Sequence, residues 1–219
     1  MIHLFTGHDQ REAIGWYVFV SSALRHTKRP VALHRLDACG LPQGSNAFTL
    51  SRFLVPWFMR YHGHAIFVDG ADMLALDDLA ALDAEFDETK AVQVVKHDYV
   101  TRNATKYIGT TMECPNPHYA RKNWASVMLI NCAHPFWRAF DPAALEHADK
   151  LKTLQFAGLA DADIGSLPDR WNRIVDEGQP LQGAGLVHWT AGIPGLPHYA
   201  GQPGADLWRA ELKNVLEAP

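Results

Sequence analysis

A chain of 219 residues, 47% hydrophobic and 20% charged, has ordinary globular composition and can bury the core of one α/β domain spanning residues 1–219. Its net charge of -4 excludes nucleic acid as the main partner, because a phosphate backbone demands a basic face. Cys39, Cys114 and Cys132 form no CxxC pair, and no apolar run reaches the roughly 18 residues of a membrane span, so a disulfide framework, a zinc knuckle and a transmembrane helix are set aside. The opening MIHLFTGHDQRE lacks the charged segment and long apolar run of a secretory signal, and the expected location is cytoplasmic.

Strand-like and helix-like patterns alternate along the chain. Ile2–Thr6 reads as a strand ending in Thr6-Gly7-His8-Asp9, and residues 10–26 carry helical spacing through Ile14, Tyr17, Val18 and Leu24. Residues 31–36 read as a second strand and 40–45 as a loop. Residues 48–61 are apolar on most faces (Phe48, Phe53, Trp57, Phe58), which predicts a buried helix that Pro56 kinks or splits. His62-Gly63-His64 reads as a helix-to-strand turn rather than a metal pair. Further strands are predicted over 65–68, 91–96 and 127–131, with a helix opening at Asp78. The pattern predicts a mostly parallel sheet flanked by helices. Residues 98–124 show little periodicity, and a connection that long is expected to be functional.

The most informative stretch is residues 66–79, IFVDGADMLALDDL, in which a buried strand delivers Asp69 and Asp72 to its carboxyl end around Gly70. Open α/β sheets bind ligands at that rim, where clustered carboxylates suit a divalent cation. Thr6 and Asp9 end the first strand, and Lys96, His97 and Asp98 end the fourth, so a parallel sheet gathers them along the same edge. Neither G-x-G-x-x-G nor a P-loop is present; a bound diphosphate therefore needs a metal ion and cationic side chains instead.

On these residues the chain resembles the nucleotide-sugar glycosyltransferases of the GT-A (Rossmann-like) fold. The likeness is to the retaining glycogenin and lipopolysaccharide galactosyltransferase group, glycosyltransferase family 8-like. Asp72 and Asp78 match the six-residue spacing between that group's metal-binding aspartate and the aspartate that opens the next helix. Ser51–Pro56 resembles its arginine-bearing helix, and Val127–Asn131 its Leu-Ile-Asn strand. Leu167–Asn172 and Leu186–Gly192 resemble its Leu-Pro-x-x-Trp-Asn and His-x-Thr-Gly motifs. The matches run in family order from about residue 2 to residue 195.

The departures are specific. Asp69 stands one position before the family's first aspartate, which falls at Gly70. The family's sugar-binding asparagine falls at Trp124, beside Asn123. The lysine that follows His-x-Thr-Gly is missing from Gly192–Gly195, and Arg121, Lys122 or Lys106 are the candidates to replace its charge.

The resemblance implies a metal-dependent glycosyltransferase that moves a sugar, with retention, from a nucleoside-diphosphate donor, UDP by family, to a glycan, lipid-linked or small-molecule acceptor. It implies Asp69, Asp72 and His188 as ligands of Mn²⁺ or Mg²⁺. Thr6, Asp9, Arg52, Gly70, Lys96, His97, Asp98 and Asn131 are the expected nucleotide and sugar contacts, with Trp171 and Trp189 as further candidates to touch ligand. Gln155 and Asp161 are the expected catalytic residues. The alternatives are a catalytically impaired nucleotide-sugar-binding protein of the same fold, and a nucleotidylyltransferase. The latter is disfavoured by the lack of a glycine-rich triphosphate loop after the first strand. Residues 212–219 do not form the long basic and aromatic tail with which some relatives lie on membranes.

Overall fold

The computed structural model describes residues 1–217; the last two positions of the closing stretch, 218 and 219, lie outside the described residues. The first strand, β1 (Ile2–Gly7), leads into α1 (Ala13–His26), and β2 (Val31–Leu36) follows. After a one-turn helix α2 (Val55–Phe58) come β3 (His64–Val68), β4 (Met73–Ala75), α3 (Leu79–Asp83) and β5 (Val92–Val94). The long loop carries β6 (Thr105–Lys106) and β7 (Cys114–Pro115), and β8 (Val127–Asn131) closes it. Helices α4 (Pro142–Glu146) and α5 (Lys150–Leu154) precede β9 (Ile164–Ser166), β10 (Arg173–Ile174), β11 (Leu186–His188) and α6 (Ala205–Glu217).

The main sheet has the order β2-β1-β3-β8-β5-β9. All pairs are parallel except those of β8, which runs antiparallel to both β3 and β5. The α/β sheet is thus mostly parallel with one reversed strand. Both faces are covered, as the near-continuous apolar strands require. Phe5, Phe67 and Met128 pack on one side with Phe48, Phe53 and Trp137, while Leu4, Ile66, Val68 and Leu129 pack on the other with Phe19 and Trp171.

A second sheet, β10-β11-β4, decides the position of the site. Antiparallel pairing of β11 with β4 sets His188 opposite Met73, the residue after Asp72, and Trp189 N donates to Asp72 O at 2.9 Å. Strand β4 went unrecognised in the sequence because its three apolar residues are too short to show a period.

The predicted helix over 48–61 is not continuous. It is a 3₁₀ turn at Ser51–Leu54 followed by α2, and Pro56 stands in that helix's first turn, where its missing N–H has no intrahelical partner to lose. Its aromatic residues divide: Phe48 and Phe53 are buried, but Trp57 and Phe58 are 40% and 41% exposed, against the expectation of a buried helix. Conversely, Trp171 and Trp189 are core residues at 1% and 0% exposure. Gly63, at φ 67°, forms the expected turn into β3, and His64 bonds Asp83 at 2.9 Å. Asp78 caps α3, accepting from Ala80 N at 2.8 Å. Among the described residues no helix is long and apolar enough to cross a membrane.

Candidate metal centre and adjoining groove

Strand β3 ends at Val68, and the next four residues form a tight turn. Gly70 adopts φ 80°, a left-handed conformation that glycine takes without strain, and a side chain there would press on Gly7 O. Met73 N donates to Gly70 O at 3.0 Å, closing the turn. The bend brings Asp69 and Asp72 to the same side although a flat strand would set them on opposite faces. Helix α1 packs directly beneath, with Gly15 against the carbonyl of Ala71.

One ligand atom from each of Asp69, Asp72 and His188 lies within 4.8 Å of the other two. All three residues are buried, at 7%, 4% and 1% exposure. His188 Nε2 is 3.3 Å from Asp72 Oδ2, and its Nδ1 faces Asn172 Oδ1 at 2.9 Å. A hydrogen bond from Nδ1 to that amide oxygen fixes the tautomer that leaves Nε2 as a lone-pair donor. Asn172 is itself held by Ser126 Oγ at 2.8 Å. Asp72 Oδ1 is buried and has no partner. An orphaned carboxylate oxygen is costly to bury, and a cation held by two carboxylates and an imidazole would satisfy it. That mixed oxygen and nitrogen set fits Mn²⁺ or Mg²⁺.

Without a metal the electrostatics favour an ionised Asp72 beside a protonated His188. Burial pushes the Asp69 carboxyl up to about 6, while Arg52 pulls it down and Asp72 pushes it up. Burial opposes ionisation of Asp72 too, but His188 outweighs it and holds this carboxyl below its ordinary value. His188 is reciprocally raised, burial being outweighed by Asp72.

Arg52 Nη1 donates to Asp69 Oδ1 at 2.6 Å and to Ala125 O at 2.8 Å, with its guanidinium between the rings of Phe48 and Phe67. Glu12, missed in the sequence because it reads as an ordinary residue of a helix's first turn, is buried beside Asp72. Burial and then that neighbour push its carboxyl up to about 8. Tyr107, from the long loop, lies buried at φ 57° with Glu12, Asp72 and Asp69 around its phenol. Its N donates to Ala191 O at 2.7 Å.

The remaining expected residues separate. Thr6 is fully buried and accepts from Trp16 Nε1 at 2.7 Å; Asp9 accepts from Arg11 N at 3.0 Å and Ala47 N at 2.9 Å and pairs with the Arg11 guanidinium. Lys96 donates to Ile164 O at 2.7 Å, and together with His97 and Asp98 it lines a further cavity of about 410 Å³, whose wall also includes Tyr119 and Lys122. His97 Nε2 has no partner there, and burial drives its pKa down to about 3. Asn131 is at the wrong end: because β8 runs antiparallel, it pairs with His64 at the start of β3, whereas Val127 pairs with Val68 beside the site. What β8 brings to the rim is its amino end, where Asp69 N donates to Ser126 O at 2.9 Å.

Gln155 and Asp161 line neither cavity that Lys106 borders. Gln155 offers its main-chain oxygen to Arg121 at 2.8 Å, and Asp161, 87% exposed at its side chain, pairs with the same guanidinium. Arg52, Asp69, Lys106, Asn123 and Ser126 line a small cavity of about 60 Å³. It opens into a groove of about 350 Å³, sharing Ser45, Thr49, Lys106, Tyr119 and Asn123. The long loop thus supplies much of the wall, through Lys106, Asn116, Tyr119, Lys122 and Asn123.

A mostly parallel sheet with an acidic turn at its carboxyl rim is the GT-A glycosyltransferase fold. The galactosyltransferase LgtC, solved with donor and acceptor sugar analogs, matches with a TM-score of 0.63 and 14% identity over 100% of this chain and 98% of LgtC. The apo form of the glycosyltransferase GlyE of Streptococcus pneumoniae TIGR4 matches with a TM-score of 0.64 and 14% identity, over 98% of this chain and 62% of GlyE. The bifunctional WbbM gives 0.64 and 14% identity over 97% of this chain, which spans 50% of WbbM's length. No protein-family model matches the chain. In sequence it is 31% identical over 227 residues to protein CDI of Arabidopsis thaliana, covering 96% of this chain and 85% of CDI. The chain belongs to the family of that protein.

Proposed function

We propose that this protein is a metal-dependent glycosyltransferase that takes a sugar from a nucleoside-diphosphate donor, with UDP as the carrier, and passes it to an acceptor with retention of configuration. The observation that carries this reading is the convergence of Asp69, Asp72 and His188 around an unpartnered buried carboxylate oxygen. A bound divalent cation supplies Lewis-acid neutralisation of the diphosphate leaving group. The chain's own residues do the rest. Asn172 orients His188, Gly70 turns Asp69 inward, and Arg52 holds the Asp69 carboxylate while presenting positive charge to the small cavity.

The test is thermal denaturation with UDP, with and without Mn²⁺, on wild type and Asp72→Ala. A ligand that binds only the folded state raises the melting temperature. Stabilisation that requires both nucleotide and metal, and is lost in Asp72→Ala, supports the reading. No response to the pair overturns it. Donor hydrolysis then separates an active transferase from a protein that only binds nucleotide sugar, the alternative favoured by the position of Gln155 and Asp161 outside the cavities.

A further inference from the structure

The groove beside the candidate metal centre is lined by Lys106, Lys122 and Lys150 and by no aspartate or glutamate. Lys122 is the informative member. It is 5% exposed, and its Nζ donates to Asn116 Oδ1 at 2.7 Å and Pro117 O at 2.8 Å, both neutral acceptors. The Tyr119 ring lies 4.8 Å from the ammonium. Among the described residues, no carboxylate forms an ion pair with it. Burial, and then the neighbouring Lys106, pull its pKa down to about 8 against the weaker opposing pull of Glu177. A buried charge is tolerated when a partner completes it, and among the described residues Lys122 has two neutral acceptors and the Tyr119 ring but no carboxylate in direct contact.

Lys106 and Lys150 extend the positive field. Lys106 makes no hydrogen bond or ion pair of its side chain among the described residues, borders both cavities and lowers the carboxyls of Asp69, Asp72 and Glu12. It therefore stands between the acidic site and the groove. Lys150, exposed at the start of α5, donates to Gln43 O at 3.0 Å and marks the outer end.

We infer that this groove receives the acceptor, and that the acceptor carries an oxyanion, a phosphate or a carboxylate, which pairs with Lys122. This deepens the reading under Proposed function and rests on it for the word acceptor. Three lysines and no carboxylate in one wall set this groove apart from a chain whose overall charge is -4, and favour an anion there.

The experiment is calorimetric titration of wild type, Lys122→Met and Lys150→Gln with glucose 6-phosphate, glucuronate and neutral glucose, alongside UDP with Mn²⁺. The expected result is saturable, salt-sensitive binding of one or both acidic sugars and none of glucose. Lys122→Met should weaken the acidic sugar by about tenfold or more, near 1.4 kcal/mol. Lys150→Gln should weaken it less, and both variants should bind UDP with Mn²⁺ as wild type does. Should Lys122→Met fail to fold, Lys150→Gln still carries the comparison, because its side chain is exposed.

Equal binding of glucose and the acidic sugars overturns the proposal, as does the absence of acidic-sugar binding at millimolar concentration. A parallel loss of UDP affinity in the lysine variants also overturns it, for then the groove serves the donor diphosphate. Asp72→Ala separates the two readings: acidic-sugar binding that persists in this variant while UDP binding is lost shows two independent sites, and acidic-sugar binding by a wild type that never binds UDP leaves the groove standing while the donor site falls.

Discussion

Arg52 and Asp69 form a buried ion pair, Nη1 to Oδ1 at 2.6 Å, with side chains 6% and 11% exposed. The guanidinium lies against the rings of Phe48 and Phe67, and the pair borders the small cavity. Breaking such a pair from one side strands the other charge, which typically costs about 3–5 kcal/mol. Arg52→Ala is therefore expected to destabilise the protein by that order in urea denaturation. Asp69→Asn in the same background should recover a large part, because the stranded charge is gone. Additive losses in the double variant would show that Arg52 stabilises through packing on Phe48 and Phe67 alone.

His188 depends on Asn172 for its tautomer, through the 2.9 Å contact to Nδ1. Removing a group that orients a metal ligand typically lowers affinity by about 10–100-fold. Asn172→Ala is expected to weaken Mn²⁺ binding by that factor in titration calorimetry. An unchanged Mn²⁺ affinity would mean that Asn172 serves only to tie its own turn to Asn123 and Ser126, just ahead of β8.

The same centre should bind metal in a pH-dependent way. Burial, against the pull of Arg52, pushes Asp69 up to about 6. Below that value the metal must displace a proton from Asp69. It must displace another from His188, whose pKa is raised, burial being outweighed by Asp72, wherever that imidazole is still protonated. Apparent affinity is therefore expected to fall by about tenfold per unit of pH for each proton displaced, more steeply below about 6 than above it. Titrations in buffers of different ionisation enthalpy count the proton directly. Release of no proton at pH 5 would rule this out.

Glu12 makes the opposite kind of prediction, about stability. Its carboxyl is pushed from 4.5 up to about 8, by burial first and then by Asp72. Below 4.5 both folded and unfolded chains hold the proton and its contribution to stability is complete. As pH rises toward 8 only the unfolded chain has released it, so that contribution declines and is gone once pH passes the folded value. Glu12→Gln is expected to remove this slope. Its melting temperature should match wild type near pH 4.5 and exceed it by several degrees at pH 8. Parallel melting curves across that range would exclude a buried, proton-bearing Glu12.

The legibility of the site follows from how each residue reaches it. Asp69, Gly70 and Asp72 could be read because a strand and its following turn are local, and the chemistry is spelled out in four consecutive letters. His188 needed a motif, since only the β11–β4 pairing brings it opposite Met73, and three-residue strands carry no period. Asn131 was misplaced because the direction of β8 is a tertiary choice that an apolar pentapeptide does not encode. The broken helix at 48–61 and its exposed Trp57 and Phe58 failed for a related reason: hydrophobicity announces burial but not which neighbours arrive to provide it. Lys106, Tyr107 and Lys122 lie in a stretch without periodicity, where position is set by side-chain bonds from distant residues.

Those bonds give the last prediction. Glu177, buried between β10 and β11, holds the start of the long loop. One carboxylate oxygen accepts from Thr101 Oγ1 and from Asn103 Nδ2 at 3.1 Å, and the other accepts from Arg102 N at 2.6 Å. Asn116 is joined to the same cluster through Asn103 O at 2.7 Å, and Lys122 through Asn116. A carboxylate accepts from all these donors at once, whereas an amide must turn two N–H groups toward groups that are themselves donors. Glu177→Gln is therefore expected to loosen the loop without unfolding the sheet. Amide hydrogen exchange over residues 98–124 should rise by about tenfold or more while β1, β3 and β8 keep their protection. Since the loop carries Lys106 and Lys122, the groove should lose its ordered cations together with that protection. Faster exchange throughout the core would instead make Glu177 a global support, and unchanged exchange would mean that the loop is held by β6 and β7 alone.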